Sequence, residues 1–137
     1  MRKIRLSLAL SCSLIVLSLV LMSFVQEKKP WDIPAKYQSM DNPQGADDAE
    51  MIKVGKINYS RHCKSCHGNM GKGDGPKARS IDVDLGDFTT ADFQAQKDGV
   101  IYFQSFIGRD EMPNFEKKIP DDEDRWAIVT YIRTLKK

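Results

Sequence analysis

Three residues are the clearest candidates for chemistry: Cys63, Cys66 and His67, which lie in the pentapeptide Cys-Lys-Ser-Cys-His. C-x-x-C-H is the pattern by which c-type haem is attached to protein. The two thiols add to the vinyl groups of haem, and the adjacent imidazole becomes the proximal ligand of the iron. The sequence therefore predicts one covalently bound haem c, attached at Cys63 and Cys66, with His67 as an axial ligand of the iron.

Two other kinds of site use a pair of cysteines at this spacing, namely redox disulfides and zinc sites. A structural zinc ion needs four ligands, and the only other cysteine and histidine are Cys12 and His62. Cys12 lies in an apolar leader, and four ligands within residues 62–67 would strain a tetrahedral geometry. A thioredoxin-like disulfide needs a βαβ context, which is not visible around Cys63. Haem attachment is favoured over both.

The second face of the iron is expected to be filled by Met112. No histidine follows His67, and Met112 lies far downstream in an Asp-Glu-Met-Pro segment. Pro113 disfavours helical backbone at the preceding residue, so we expect a loop from which the methionine sulfur can point inward. Met70 follows His67 too closely to reach the opposite face, and His62 is expected to be a surface imidazole. With His67 and Met112 both bound, the iron has no open position, which favours electron transfer over catalysis.

Residues 1–25 are expected to be a signal peptide or a membrane anchor. Three basic residues within the first five precede an uncharged apolar stretch that ends at Val25. The stretch has the length of a membrane span, about 20 residues, and no clean A-x-A cleavage site follows it. Retention as an anchor is favoured over cleavage, and lipidation at Cys12 is disfavoured because its surroundings match a lipobox poorly. The basic N-terminus predicts that the rest of the chain lies on the periplasmic side of the bacterial cytoplasmic membrane.

The remaining chain divides into a tether and one domain. Residues 26–46 contain three prolines, which argue against a helix, and are expected to form a semi-rigid tether with Trp31 packed back on the domain. Residues 47–137 are expected to form a helical domain without a convincing strand. Helices are predicted from Ala46 to Cys63, from Asp98 to Ile107, and from Pro120 or Asp121 towards the C-terminus. In the first of these, Gly55 lies on the apolar face, where we expect another helix to cross closely.

The charges are distributed unevenly along the chain. Residues 53–79 carry seven basic residues and one acidic residue, for a net charge of +6, whereas residues 80–137 carry a net charge of −4. The basic segment contains the cysteine pair, so it could orient a haem edge towards an acidic redox partner, with Lys64 among the docking charges. The chain beyond the leader is not basic overall, and nucleic-acid binding is therefore not expected.

Taken together, the motifs from about residue 48 to residue 136 resemble those of class I monohaem c-type cytochromes. The matching features are the Gly55 and Tyr59 pair, Cys63-x-x-Cys66-His67, Met112-Pro113, and the last helix with Trp126, Val129, Tyr131 and Ile132. The resemblance implies an all-α cytochrome c fold, with helices packed around one covalently bound haem. It also implies that the first and last helices cross near Gly55 and Tyr131.

The expected function is one-electron transfer outside the cytoplasmic membrane, as a tethered carrier in a respiratory chain. The alternative is a fixed haem subunit of a larger membrane oxidoreductase. A haem enzyme or gas sensor is a third hypothesis, and it is disfavoured because it needs an open or displaceable distal position on the iron.

Overall fold

Helices form all the regular secondary structure in the part of the chain that the structure describes. The computed structural model describes residues 30–45, 47–110 and 112–136. The helices are α1 (Ala35–Gln38), α2 (Ala49–His62), α3 (Lys64–His67), a 3-10 turn (Ala78–Ser80), α4 (Ala91–Gln94), α5 (Asp98–Tyr102), a π-helical turn (Phe103–Ile107) and α6 (Asp122–Arg133). Over these residues the prediction of an all-α fold is confirmed.

The two long helices begin where acidic side chains cap them. The carboxylate of Asp48 accepts hydrogen bonds from the backbone N–H groups of Glu50 and Met51 at 3.0 and 3.1 Å, and Asp121 accepts one from Glu123 at 2.9 Å. Such caps satisfy backbone donors that have no partner within the first turn of a helix. The predicted starts of both helices are thus correct to within a few residues.

Helices α2 and α6 cross in close contact at Gly55, as the sequence predicted. A β-carbon at this position would lie 1.9 Å from the backbone oxygen of Ala127 and 2.9 Å from the β-carbon of Tyr131. Only a glycine therefore allows the two backbones to approach this closely. The rings of Tyr59 and Tyr131 pack beside the crossing, with centroids 5.2 Å apart.

Helix α6 is buried on more sides than its apolar stripe predicts. All seven residues from Trp126 to Ile132 are buried, whereas an amphipathic helix at a surface buries only about every third or fourth residue. Residues 31–45 supply part of the additional cover, since the side-chain amide of Asn42 donates to the hydroxyl of Thr130 at 2.9 Å. The hydrophobic core comprises Tyr37, Tyr59, Phe88, Ile101, Tyr102, Phe106, Phe115, Ile119, Trp126, Ile128, Val129, Tyr131, Ile132 and Leu135.

The described part of the predicted tether packs on the domain. Trp31–Lys137 form one compact unit, and the ring of Trp31 contacts that of Phe103 edge-on at 6.3 Å, as expected for a tryptophan packed back on the domain. The prediction that this segment contains no helix was wrong, since α1 forms directly after Pro34. A proline at the start of a helix is tolerated because its missing N–H would have no intrahelical partner there.

The helix predicted from Asp98 to Ile107 changes its winding halfway. Its first part is α-helical, its second part is the π-helical turn, and Gly108 ends it at a φ of 71°. Asp98 is the first residue of this helix and does not cap it. Its carboxylate instead accepts a hydrogen bond of 2.8 Å from Nε of Arg133, and this pair ties the end of α6 to the start of α5.

Residues 1–29 lie outside the described part of the chain, and the predicted leader with Cys12 lies there. None of the helices within residues 30–45, 47–110 and 112–136 is long and apolar enough to cross a membrane.

Candidate haem-binding site

The cysteine pair lies at the junction of α2 and α3. Cys63 is the residue between the two helices, and Cys66 and His67 belong to the single turn of α3. Both cysteines are free thiols and partly buried. Burial and the neighbouring Cys66 raise the pKa of the Cys63 thiol to about 12. The structure therefore places both thiols and His67 within one short segment of the chain, residues 63–67, which is called the attachment turn.

The glycine-rich segment after His67 folds back onto this turn. The backbone N–H of Gly75 donates to the carbonyl of Cys66 at 3.0 Å, and that of Lys77 donates to the carbonyl of Ser65 at 2.8 Å. A β-carbon on Gly75 would lie 2.5 Å from the Ser65 oxygen, so a side chain at this position would push the segment away. This glycine-rich segment thus has a specific role, because it holds the backbone of residues 63–67.

His67 is buried without a hydrogen-bond partner for its ring. Only 7% of the residue is exposed, and neither Nδ1 nor Nε2 makes a hydrogen bond within the described residues. Burial lowers the pKa of the imidazole, and the backbone of Leu85 opposes this shift without reaching hydrogen-bond geometry. Buried polar atoms are normally paired, so an orphaned imidazole indicates a group that the site is built to receive. A haem iron bound at one of these nitrogens would fit it.

Aromatic and polar neighbours fix the orientation of His67. The ring of Phe88 stacks on the imidazole with centroids 4.6 Å apart and an interplanar angle of 29°. The hydroxyl of Tyr59, a residue that is 1% exposed, donates to the carbonyl of Gly68 at 2.8 Å. The role of Phe88 was missed at the level of sequence, because no local pattern connects it to a histidine so far away. Tyr59 was named with Gly55 among the features of the resemblance, but its hydrogen bond was not predicted.

Met112 lies on a tight loop after the π-helical turn. The backbones of Arg109 and Met112 form an antiparallel bridge, in which each N–H donates to the other's carbonyl at 2.8 Å. Asp110 at the tip adopts a φ of 46°, a conformation that short polar residues tolerate. Met112 is partly buried and packs against the hydrophobic core, as does Cys63. The extended backbone expected at Met112 is thus present, and its role as an iron ligand stays a prediction.

The other two residues considered as ligands lie on the surface or near it. The side chain of Met70 is 52% exposed. His62 is partly buried, and its ring lies edge-on to that of Phe115 at 6.3 Å. Within the described residues, no group of three or more histidine, cysteine or acidic side chains is arranged to hold a metal ion.

The sequence of the domain matches a known family. Residues 50–132 match the family model described as cytochrome C oxidase, cbb3-type, subunit III, and the match covers more than half of the 137-residue chain. The chain belongs to this family of c-type cytochrome domains. It is therefore a monohaem c-type cytochrome that carries covalently bound haem c, as the sequence predicted. A search of curated proteins found no match to the chain.

Membership of the family defines the general activity of this cytochrome. It is an electron-transfer protein that works through haem, rather than an enzyme that transforms a substrate. The free thiols of Cys63 and Cys66 and the orphaned ring of His67 fit a covalently held haem. As a c-type cytochrome it acts with redox partners, and its family suggests an exported protein.

Proposed function

We propose that this cytochrome transfers single electrons outside the cytoplasmic membrane, with haem attached to Cys63 and Cys66 and its iron ligated by His67 and Met112. The observation that carries the proposal is the buried, unpartnered imidazole of His67 beside two free thiols. The haem supplies a metal that changes its charge by one unit. His67 and Met112 would occupy both axial positions, so that small molecules are kept from the iron and little rearranges between oxidation states.

The surrounding side chains tune this centre and control access to it. Burial among aromatic and aliphatic residues disfavours the extra positive charge of the oxidised state, and methionine ligation also raises the reduction potential. Lys64 next to Cys63 is exposed, so it is available to a redox partner at the attachment edge. Its position supports docking of an acidic partner at the basic segment of residues 53–79.

Replacement of the methionine tests the axial ligation. In Met112→Ala we expect the ferric protein to lose its methionine-to-iron charge-transfer band, to bind cyanide readily and to have a lower midpoint potential. Met70→Ala is the matched control, because Met70 is largely exposed and should leave all three properties unchanged. A wild-type spectrum without the band, or an unchanged potential in Met112→Ala, would contradict the ligation.

We also propose that the apolar N-terminal segment keeps the cytochrome at the membrane as a tethered carrier in a respiratory chain. Support comes from the basic residues at the start of the chain and the uncharged stretch up to Val25. The full-length protein should stay with membranes after washing with salt and carbonate, and its intact mass should include residues 1–25. Release by the wash together with a mass lacking these residues would contradict the tether.

A second candidate function is that of a fixed haem subunit in a larger membrane oxidoreductase. The description of the family as an oxidase subunit favours it. Extraction of native membranes with a mild detergent distinguishes the two, because a tethered carrier should migrate as a small species. Migration of all the haem c with a large complex would favour the fixed subunit.

A further inference from the structure

We propose that Trp31 and Arg109 form a clamp that holds the Met112 loop closed over the haem. The Met112 loop is defined as residues 108–110 together with residues 112 and 113, and the strap as residues 31–45. The inference rests on the proposed ligation of iron by Met112. It adds two positioning residues, one of which, Trp31, lies outside residues 50–132 that match the family model.

The first part of the argument is that Arg109 controls the backbone of Met112. Both hydrogen bonds of the bridge between these residues are 2.8 Å long, so Met112 cannot leave its position without breaking two bonds to Arg109. The bridge joins two residues that are only three positions apart, and Asp110 between them adopts a left-handed conformation. Movements of Arg109 and Met112 are therefore coupled through the backbone.

The second part is that the side chain of Arg109 is held by Trp31. The guanidinium carbon lies 3.9 Å from the centroid of the Trp31 ring, which is the geometry of a cation–π contact. The Arg109 side chain is 29% exposed, so the contact is partly shielded from water and should be worth more than one on the open surface. Trp31 is itself supported by its edge-on contact with Phe103 in the π-helical turn.

The third part is that the strap is fixed to the domain, so that the position of Trp31 is fixed as well. The N–H of Gly99 donates to the carbonyl of Met40 at 3.0 Å, and the ring of Tyr37 packs against that of Phe103 at 4.9 Å. A β-carbon on Gly99 would lie 2.2 Å from the carbonyl oxygen of Tyr37, so the strap lies directly on the backbone of α5. Trp31 is thus presented to Arg109 by a segment with its own tertiary contacts.

The clamp should favour a closed loop, in which Met112 binds the iron, over an open loop, in which it does not. A foreign ligand such as imidazole binds only the open form, so its apparent affinity reports the open fraction. Loss of a contact that exists only in the closed form raises that fraction by the factor that corresponds to the contact's free energy. Loss of a partly shielded cation–π contact corresponds to about a fivefold change in the open fraction, and so in the apparent affinity for imidazole.

The experiment is an imidazole titration of the ferric, haem-loaded, full-length protein, with the charge-transfer band of methionine ligation recorded in parallel. Trp31→Ala and Arg109→Ala should each bind imidazole about fivefold more tightly than the wild type and have a lower midpoint potential. The effects of the two substitutions should not add in the double variant, because each single variant already lacks the contact between Trp31 and Arg109. Trp31→Phe, which keeps an aromatic face, should restore most of the wild-type behaviour.

Lys36→Ala is the matched control. The Lys36 ammonium lies 4.6 Å from the ring centroid of Tyr37, so this change removes another cation–π contact from the same strap, but one without a contact to the Met112 loop. It should leave imidazole affinity unchanged. Wild-type affinity in Trp31→Ala, or additive effects in the double variant, would overturn the clamp. Absence of the charge-transfer band from the wild type would instead overturn the proposed ligation, so the two failures are distinguishable.

Discussion

At the scale of single residues, His67 is positioned by its neighbours and not by hydrogen bonds of its own ring. Phe88 stacks against one face of the imidazole, and Tyr59 holds the backbone just after it through the carbonyl of Gly68. Both ring nitrogens stay unpaired within the described residues. The side chain is thus oriented before any ligand binds, which lowers the entropic cost of forming a bond to iron.

Removal of the Tyr59 hydroxyl should weaken the fold around the attachment turn. Tyr59→Phe leaves the buried carbonyl of Gly68 without its donor, and we expect a loss of about 1–2 kcal/mol in the free energy of unfolding. Tyr131→Phe is the control, because the hydroxyl of Tyr131 makes no hydrogen bond within residues 30–45, 47–110 and 112–136. Denaturant unfolding of both haem-loaded variants measures the difference, and equal losses would contradict the assigned role of Tyr59.

Ionisation of Tyr102 should destabilise the protein in alkali. Burial and the hydrogen bond that its hydroxyl donates to Asp122 at 2.6 Å raise the pKa of Tyr102 from 10 to about 12, although Arg125 opposes the shift. A pKa that is higher in the folded state gives stability that is complete below pH 10 and is lost as the pH rises towards 12.

Unfolding by denaturant, measured at several pH values from neutral to 11, tests this prediction. The free energy of unfolding should fall less steeply above pH 10 in Tyr102→Phe than in the wild type. The same slope in both proteins would show that Tyr102 does not titrate with the predicted shift.

At the scale of elements, the crossing of α2 and α6 fixes the two longest described helices against each other. It places the C-terminal end of α2, and with it Cys63, at a fixed position relative to the buried face of α6. Gly55 makes the crossing possible, since the Ala127 carbonyl occupies the space that a side chain would need. The position of the haem-attachment turn therefore depends on one residue without a side chain.

Gly55→Ala should separate the two helices and destabilise the protein. Overpacking against backbone atoms lowers the free energy of unfolding by about 3 kcal/mol, and the better helix propensity of alanine offsets only about 1 kcal/mol of this loss. We therefore expect a net loss of about 2 kcal/mol in the free energy of unfolding. Gly45→Ala provides the control, because a β-carbon there meets no atom within 4 Å. A Gly55→Ala protein as stable as Gly45→Ala would refute the close crossing.

At the scale of the whole molecule, charge is segregated along the described chain. The attachment turn and the loop after it carry exposed basic residues, including Lys64, Lys72 and Lys77, whereas the sequence from residue 80 onwards is acidic. The proposed docking edge would use these charges to attract an anionic partner and to orient it during encounter. The effect is long-range, and salt should weaken it.

Reversal of one charge near the attachment turn should slow electron transfer to an anionic oxidant. Lys64→Glu should reduce the second-order rate constant several-fold at low salt and have little effect at high salt. Lys136→Glu makes the same change of charge in the acidic part of the sequence and should have a smaller effect. Stopped-flow oxidation of the reduced protein measures the rates, and equal reductions in both variants would contradict a basic docking edge.

The sequence by itself determined the features that depend on neighbouring residues. The covalent chemistry of Cys63, Cys66 and His67 is contained in five consecutive positions. The starts of α2 and α6 follow from the capping aspartates Asp48 and Asp121, whose partners lie two or three residues away. The close crossing at Gly55 was also predictable, because a glycine within a helical stripe needs a packing reason.

Tertiary structure decided the features that join distant parts of the chain. Trp31 meets Arg109, Phe88 meets His67, and Asn42 meets Thr130 only after the helices have packed. No periodicity in the sequence encodes such pairs, because each depends on the path of the backbone between its two members. For the same reason the strap was predicted as a tether, although its contacts with α5 and α6 make it part of the domain. The attachment of haem is thus a local property of this chain, and the surroundings that control the haem are a property of the fold.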